Sequence, residues 1–172
     1  IDFYKVPTRI MAGMTDSKAV DIQAGYETMQ NMMMGLMTGG HMVEQTFGVL
    51  DAIMTISYEK FIIDEEMMSR VIRICEGVDT SNSEMSLEIM KEVGPGGSYL
   101  SHPDTFKRFR NQWLPTASCW TSYDKWASTG KQSIMERANQ KYKEILASRP
   151  EMMISRSLDR DLKAYMDKVK GE

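Results

Sequence analysis

A chain of 172 residues is about one domain's worth of sequence and long enough to bury a core. With 42% hydrophobic and 26% charged residues it has a globular composition, and a net charge of −3 argues against a broad nucleic-acid footprint. Two cysteines, Cys75 and Cys119, are too few for a disulfide scaffold and fit a reducing cytoplasm, and no apolar run reaches the roughly 18 residues of a membrane span.

In chain order, residues 6–12, VPTRIMA, predict a short strand with Pro7 at its head. Gly13 breaks it. Asp16 or Ser17 is the candidate cap for a helix over 18–38, where Ala19, Ile22, Tyr26, Met29, Met33 and Leu36 recur every three or four residues. Gly39-Gly40 ends that helix, and a second strand is predicted at 41–45. Strand, helix and strand with a connection of this length make a parallel βαβ unit. Residues 49–60 read as a loop with a short helix. Residues 64–77 predict a helix, with Asp64, Glu65 and Glu66 at its positive N-terminal end and Gly77 closing it.

A polar linker over 78–83 leads to a helix over 84–93, and Gly94-Pro95-Gly96-Gly97 is a breaker. Pro103 opens a helix over 103–112, and Trp113 to Thr121 is irregular. A long helix over 131–147 places Ile134, Ala138, Tyr142 and Ile145 on one face, and Pro150 ends the segment. The last helix, over 156–169, is strongly charged and reads as a peripheral tail. Seventeen methionines are expected mainly as flexible core filler in place of Leu, because they cluster inside helical patterns; metal binding and a promiscuous apolar surface are the sharper alternatives. Two parallel strands make no independent sheet, and a parallel sheet needs both faces covered. The pattern therefore fits the end of a larger α/β protein, as does a chain that opens on Ile1 with no signal peptide behind it.

The segment AGMTDSKAVDIQAGYE at 12–27 resembles a signature of the trimethylamine methyltransferase family. The likeness continues through SYEKFIID at 57–64, IMKEVGPGG at 89–97 and LSHPDT at 100–105, and covers about residues 6–148 in order. It implies a (β/α)8 barrel, of which this chain is the helix-rich C-terminal portion, with about two parallel strands and a C-terminal helical extension. On that reading residues 1–78 hold the last βα units, 79–150 a helical segment packing on the barrel, and 151–172 a peripheral charged helix or tail.

The family's chemistry is methyl transfer from a methylated amine to the cobalt(I) of a corrinoid protein. The resemblance therefore implies an enzyme with no cofactor of its own, a partner carrying cobalamin, a small methylated amine as substrate, a cytoplasmic location and a homo-oligomer. It implies no nucleic-acid or membrane partner and links the chain to methylamine metabolism and methanogenesis. Met14 matches the position of the family's pyrrolysine. A thioether forms no covalent adduct with an amine, so Met14 is not itself catalytic and points to the branch acting on quaternary amines such as betaines or carnitine. If codon 14 is an amber codon rendered as Met, the trimethylamine reading returns instead. A non-catalytic fragment or interaction module is the third reading.

Barrel sites collect at the C-terminal ends of strands, so Asp16, Glu44, Gln45 and Phe47 are the expected substrate-binding residues beside Met14. Glu44 would offset the ammonium charge, the plainer reading being a solvated loop carboxylate. Phe47 is the nearest aromatic face for a cation. Gln45 stands where some betaine-acting relatives place a carboxylate-binding His, a departure that puts betaine itself in doubt. Asp16 either caps the helix or joins the pocket. Lys18 pairs with Asp21 or Glu27, reaches a substrate carboxylate, or stays on the surface. His41 is expected to be structural, and His102 to cap or pack. No C-x-x-C or H-x-x-x-H spacing occurs, so no metal site is expected. The glycine-rich turn at 94–97 lacks the Lys-Ser/Thr of a phosphate loop. Trp113, Trp120 and Trp126 pack the C-terminal segment or line a partner interface.

Overall fold

The computed structural model describes residues 3–148 and 153–171, a helix-rich α/β arrangement. Strand β1 (Arg9–Met11) pairs in parallel with β2 (Met42–Glu44) in the register Arg9↔Met42, Ile10↔Val43 and Met11↔Glu44. Helix α1 (Ile22–Met37) connects them, so the βαβ unit is as the sequence predicts. The first strand is shorter than 6–12; Val6 and Pro7 lie outside it. The helix starts at Ile22 rather than 18, because Asp21 is its cap and accepts the Ala24 N–H at 2.9 Å. Asp16 and Ser17 do not cap it, although the Ser17 hydroxyl donates to Asp21 at 2.9 Å and steadies the true cap.

Residues 49–60 are not a loop with a short helix. They hold an antiparallel hairpin of β3 (Val49–Leu50) and β4 (Thr55–Ile56), followed by the start of a long helix. The turn between the strands carries Asp51, Ala52 and Ile53 at φ 50, 48 and 80°, a left-handed run without a glycine. Helix α2 (Tyr58–Cys75) begins six residues before the predicted position, with Ser57 as its cap. Asp64 and Glu66 therefore sit inside the helix and are buried, rather than exposed in its first turn.

The segment predicted as one helix over 84–93 is two, α3 (Asn82–Met85) and α4 (Leu87–Val93), divided at Ser86 with φ 55°. Helix α5 (Pro103–Arg108) gives way to a 3-10 turn at Phe109–Asn111, ending one residue short of the predicted helix. His102 caps α5, its Nδ1 accepting the Asp104 N–H at 3.1 Å. Helix α6 (Tyr123–Ser128) was not anticipated. Helix α7 (Ile134–Ala147) opens on a capping box between Ser133 and Glu136. Helix α8 (Arg156–Lys170) buries no residue and leaves Leu158, Leu162, Tyr165 and Val169 on one exposed face. The predicted stop at Pro150 lies outside the described residues.

Helix α2 is the centre of the packing and lies against both α1 and α7. Ile62, Ala117 and Ala138 form the apolar core there, with Ile63, Ile134 and Tyr142 against it. Tyr142 also stacks on Tyr58 at 5.3 Å between ring centres. The methionines are not mainly core filler: Met32 is fully buried, whereas Met34, Met37, Met42 and Met54 are exposed. Among the described residues no helix is long and apolar enough to cross a membrane.

Candidate functional site

The β1–α1 loop is tied down at almost every residue. Thr28 of α1 donates its hydroxyl to the Gly13 carbonyl at 3.2 Å, and the Asn31 amide donates to the Met14 carbonyl at 2.8 Å. Glu27 takes the Thr15 hydroxyl at 2.6 Å and the Asp16 N–H at 3.0 Å on one carboxylate oxygen. From the other side, the hairpin turn donates Asp51 N–H to the Ser17 carbonyl (2.9 Å) and Ala52 N–H to the Thr15 carbonyl (3.0 Å). The strained run at 51–53 is thus held against the loop that carries Met14. Left-handed non-glycine residues cost on the order of 1–3 kcal/mol each and persist only where the surroundings over-determine them.

Gly13 is required at the strand end. Its φ is +100°, and a Cβ there would overlap the Thr46 backbone carbonyl. This close approach sets the loop after β1 directly beside the loop after β2.

Behind both loops lies a buried ion pair. Lys60 and Asp64, one turn apart on α2, are 1% and 0% exposed and 2.5 Å apart. Lys60 Nζ also donates to the Thr28 hydroxyl oxygen at 2.9 Å, and Asp64 accepts the Gly48 N–H at 2.8 Å. The pair therefore reaches Gly13 through Thr28, and it holds the second loop directly at Gly48. Burial pushes the Asp64 carboxyl up to about 6 against the pull of Lys60 and the Gly48 N–H. Its Oδ1 has no hydrogen-bond partner among the described residues.

The loops and α1 enclose a cleft of about 350 Å³, lined by Met14, Thr15, Asp16, Glu27, Asn31, Ala52 and Ile53. Met14 and Asp16 are thus brought together. Glu44, Gln45 and Phe47 are not part of that lining. Glu44 forms an ion pair with Arg9 at 2.5 Å. Gln45 is left-handed at φ 51°, and its buried Oε1 has no partner among the described residues. Phe47 packs on Phe61 at 5.3 Å between ring centres. Lys18 pairs with Asp51 at 3.1 Å and not with Asp21 or Glu27. His41 accepts the Thr8 N–H at 3.3 Å, a structural contact. Among the described residues no group of three or more His, Cys, Asp or Glu side chains is placed to hold a metal ion.

Sequence reasoning missed Glu27 and Asn31, although Glu27 ends the motif at 12–27. The available signal was spacing: Gln23, Glu27 and Asn31 recur every four residues and share one polar face of α1. The Thr15 hydroxyl first, then the Gln23 amide, hold the Glu27 carboxyl below its ordinary range against burial and the neighbouring Asp21 charge.

A second anchored carboxylate lies on the far side of α2. One oxygen of Glu66 accepts three successive backbone N–H groups, from Thr116, Ala117 and Ser118, at 2.8, 2.5 and 2.9 Å. The other takes Arg70 at 2.7 Å. Arg70 in turn lies over the Trp113 ring at 4.3 Å. Trp113 and Trp120 are in contact at 5.4 Å between ring centres, so this part of the tryptophan-rich stretch packs the segment onto α2.

A family model described as trimethylamine methyltransferase (MTTB) matches residues 2–172. The chain is 36% identical over 165 residues to a glycine betaine methyltransferase of Desulfitobacterium hafniense (strain Y51), covering 95% of the chain and 34% of that relative. It is 25% identical over 167 residues to the trimethylamine methyltransferase MttB of Methanosarcina barkeri, covering 97% and 34%. It is 33% identical over 101 residues to an L-carnitine:corrinoid methyltransferase of Eubacterium limosum, covering 58% and 21%. The chain spans about a third of the length of the first two relatives.

Proposed function

The chain belongs to the trimethylamine methyltransferase family, and from that premise we propose that the whole protein moves a methyl group from a quaternary amine to the cobalt(I) of a corrinoid carried by a partner protein. β1 and β2 are read as adjacent strands of a (β/α)8 barrel. The cleft after β1 is then at the end of the strands where barrel sites form. In the proposed step the carbon–nitrogen bond breaks, its electron pair stays on nitrogen, and a neutral tertiary amine leaves. Cobalt(I) supplies the electron pair for the new cobalt–carbon bond. This chain's own part is to hold the ammonium and to present one methyl group.

The observation that carries the reading is Met14. It walls the cleft at the position that the resemblance gives to pyrrolysine. A thioether cannot bond covalently to a tertiary amine, whereas a quaternary amine already has a neutral leaving group and needs no such activation. Two relatives named for quaternary amines, glycine betaine and L-carnitine, support this choice.

Peptide mass spectrometry of residue 14 in the natural protein tests the observation. The mass of methionine is expected. The mass of pyrrolysine would replace the quaternary amine by trimethylamine.

A further inference from the structure

The geometry points to Glu27 as the residue that supplies the negative charge facing the substrate's quaternary nitrogen, an assignment that rests on the function proposed above. A quaternary ammonium has no N–H to donate. It is recognised by charge and by contact with its methyl groups, which a fixed anion beside an apolar wall can supply. The cleft has both. Met14 and Ile53 supply apolar and polarizable surface, and Glu27 lines the same space.

Three neutral donors hold the Glu27 carboxylate in place. Oε2 accepts the Thr15 hydroxyl and the Asp16 N–H, and Oε1 accepts the Gln23 amide at 3.0 Å. Among the described residues no cation pairs with it. Its charge is therefore oriented but not neutralised, and the same donors keep it ionised at neutral pH.

The neighbouring carboxylates are arranged differently. Glu44, the residue expected for this role, is compensated by Arg9 and does not line the cleft. Asp16 lines the cleft but is exposed, and no hydrogen bond fixes its own side chain among the described residues. Lys18, the cation of the same loop, is held by Asp51 and by the Asp16 carbonyl. Among the described residues, Glu27 alone combines a place in the cleft, a fixed direction and a charge without a cationic partner.

The test compares each quaternary ammonium compound with the isostere in which carbon replaces the charged nitrogen. The full-length protein is titrated calorimetrically with glycine betaine and 3,3-dimethylbutanoate, and with choline and 3,3-dimethylbutanol. The wild type is expected to bind at least one cation about tenfold or more tighter than its carbon isostere. Glu27→Gln is expected to abolish that preference while leaving binding of the neutral isostere 3,3-dimethylbutanol within about twofold. Glu27→Asp keeps the charge and is expected to retain part of the preference. A purely structural role would weaken both members of a pair together and leave their ratio unchanged, which overturns the assignment. An undiminished preference in Glu27→Gln, or its loss in Glu44→Gln instead, also overturns it while leaving the proposed function standing. A wild type that prefers no cation overturns both.

Discussion

Gly13 is the residue on which the site geometry turns. At φ +100° and against the Thr46 carbonyl, it has room for no side chain. Gly13→Ala is expected to destabilise the full-length protein by at least about 1–3 kcal/mol and to displace the Met14 loop. Denaturant unfolding checks this, and an unchanged midpoint would show that the loop has another way to seat. At this scale the family resemblance marks Met14, and the barrel that it implies marks Asp16 at a strand end. The sequence pattern does not single out Lys60 and puts Asp64 in an exposed first turn, because charged side chains are almost always on the surface unless paired. Their partners, Thr28 and Gly48, are 32 and 16 residues away and come together only in the folded chain. Glu44 looked suitable because it ends a strand; Arg9, its partner, lies on the neighbouring strand.

The elements repeat the same lesson in a different form. Helix α1 was plain from its three-to-four spacing, but its start was not, since Asp16, Ser17 and Asp21 are all good caps. Three consecutive acids at 64–66 resemble a helix start, but α2 begins at Tyr58 and two of those acids are held in the interior by specific partners. The hairpin at 49–56 leaves no local signature, because its turn has none of the glycine or asparagine that normally marks left-handed positions. Its strain is offset by hydrogen bonds to the Met14 loop, which no local pattern encodes.

Glu66 shows what such interior acids do. Burial alone would raise its carboxyl, but hydrogen bonds from Ser118, Arg70 and Ala117 outweigh this and hold it at about 2, below the usual 4.5. The folded state therefore binds this proton less readily than the unfolded one. The associated stability is fully present above about pH 4.5 and is lost as pH falls towards about 2. Glu66→Gln is expected to lower the unfolding midpoint at neutral pH and to flatten its fall over that acidic window. A variant with the wild-type slope would show that Glu66 does not bind the 116–118 loop to α2 through its charge.

At the scale of the whole molecule, the described residues bury a small core and leave much apolar surface open. Ile22, Met54 and Leu100 are each more than four-fifths exposed, and α8 presents a continuous apolar face. The excess of methionine follows the same division, with Met32 inside and many others outside. A chain that spans about a third of its relatives' length is in keeping with surface of this kind. Composition offers it only as an alternative reading of the methionines, because apolar residues that face another part of a protein look the same in sequence as those that face their own core. The βαβ unit, by contrast, was legible from the alternation of strand, helix and glycine stops alone.

The proposed function requires the full-length protein to pass a methyl group from a quaternary amine to cobalt(I). The most direct measurement mixes the full-length protein with a reduced corrinoid partner and a panel of quaternary and tertiary amines, and follows the cobalt(I) absorbance. Loss of cobalt(I) and growth of methylcobalt with at least one quaternary amine, and not with trimethylamine, is the predicted result. A response to trimethylamine alone, or to no amine in the panel, would contradict it.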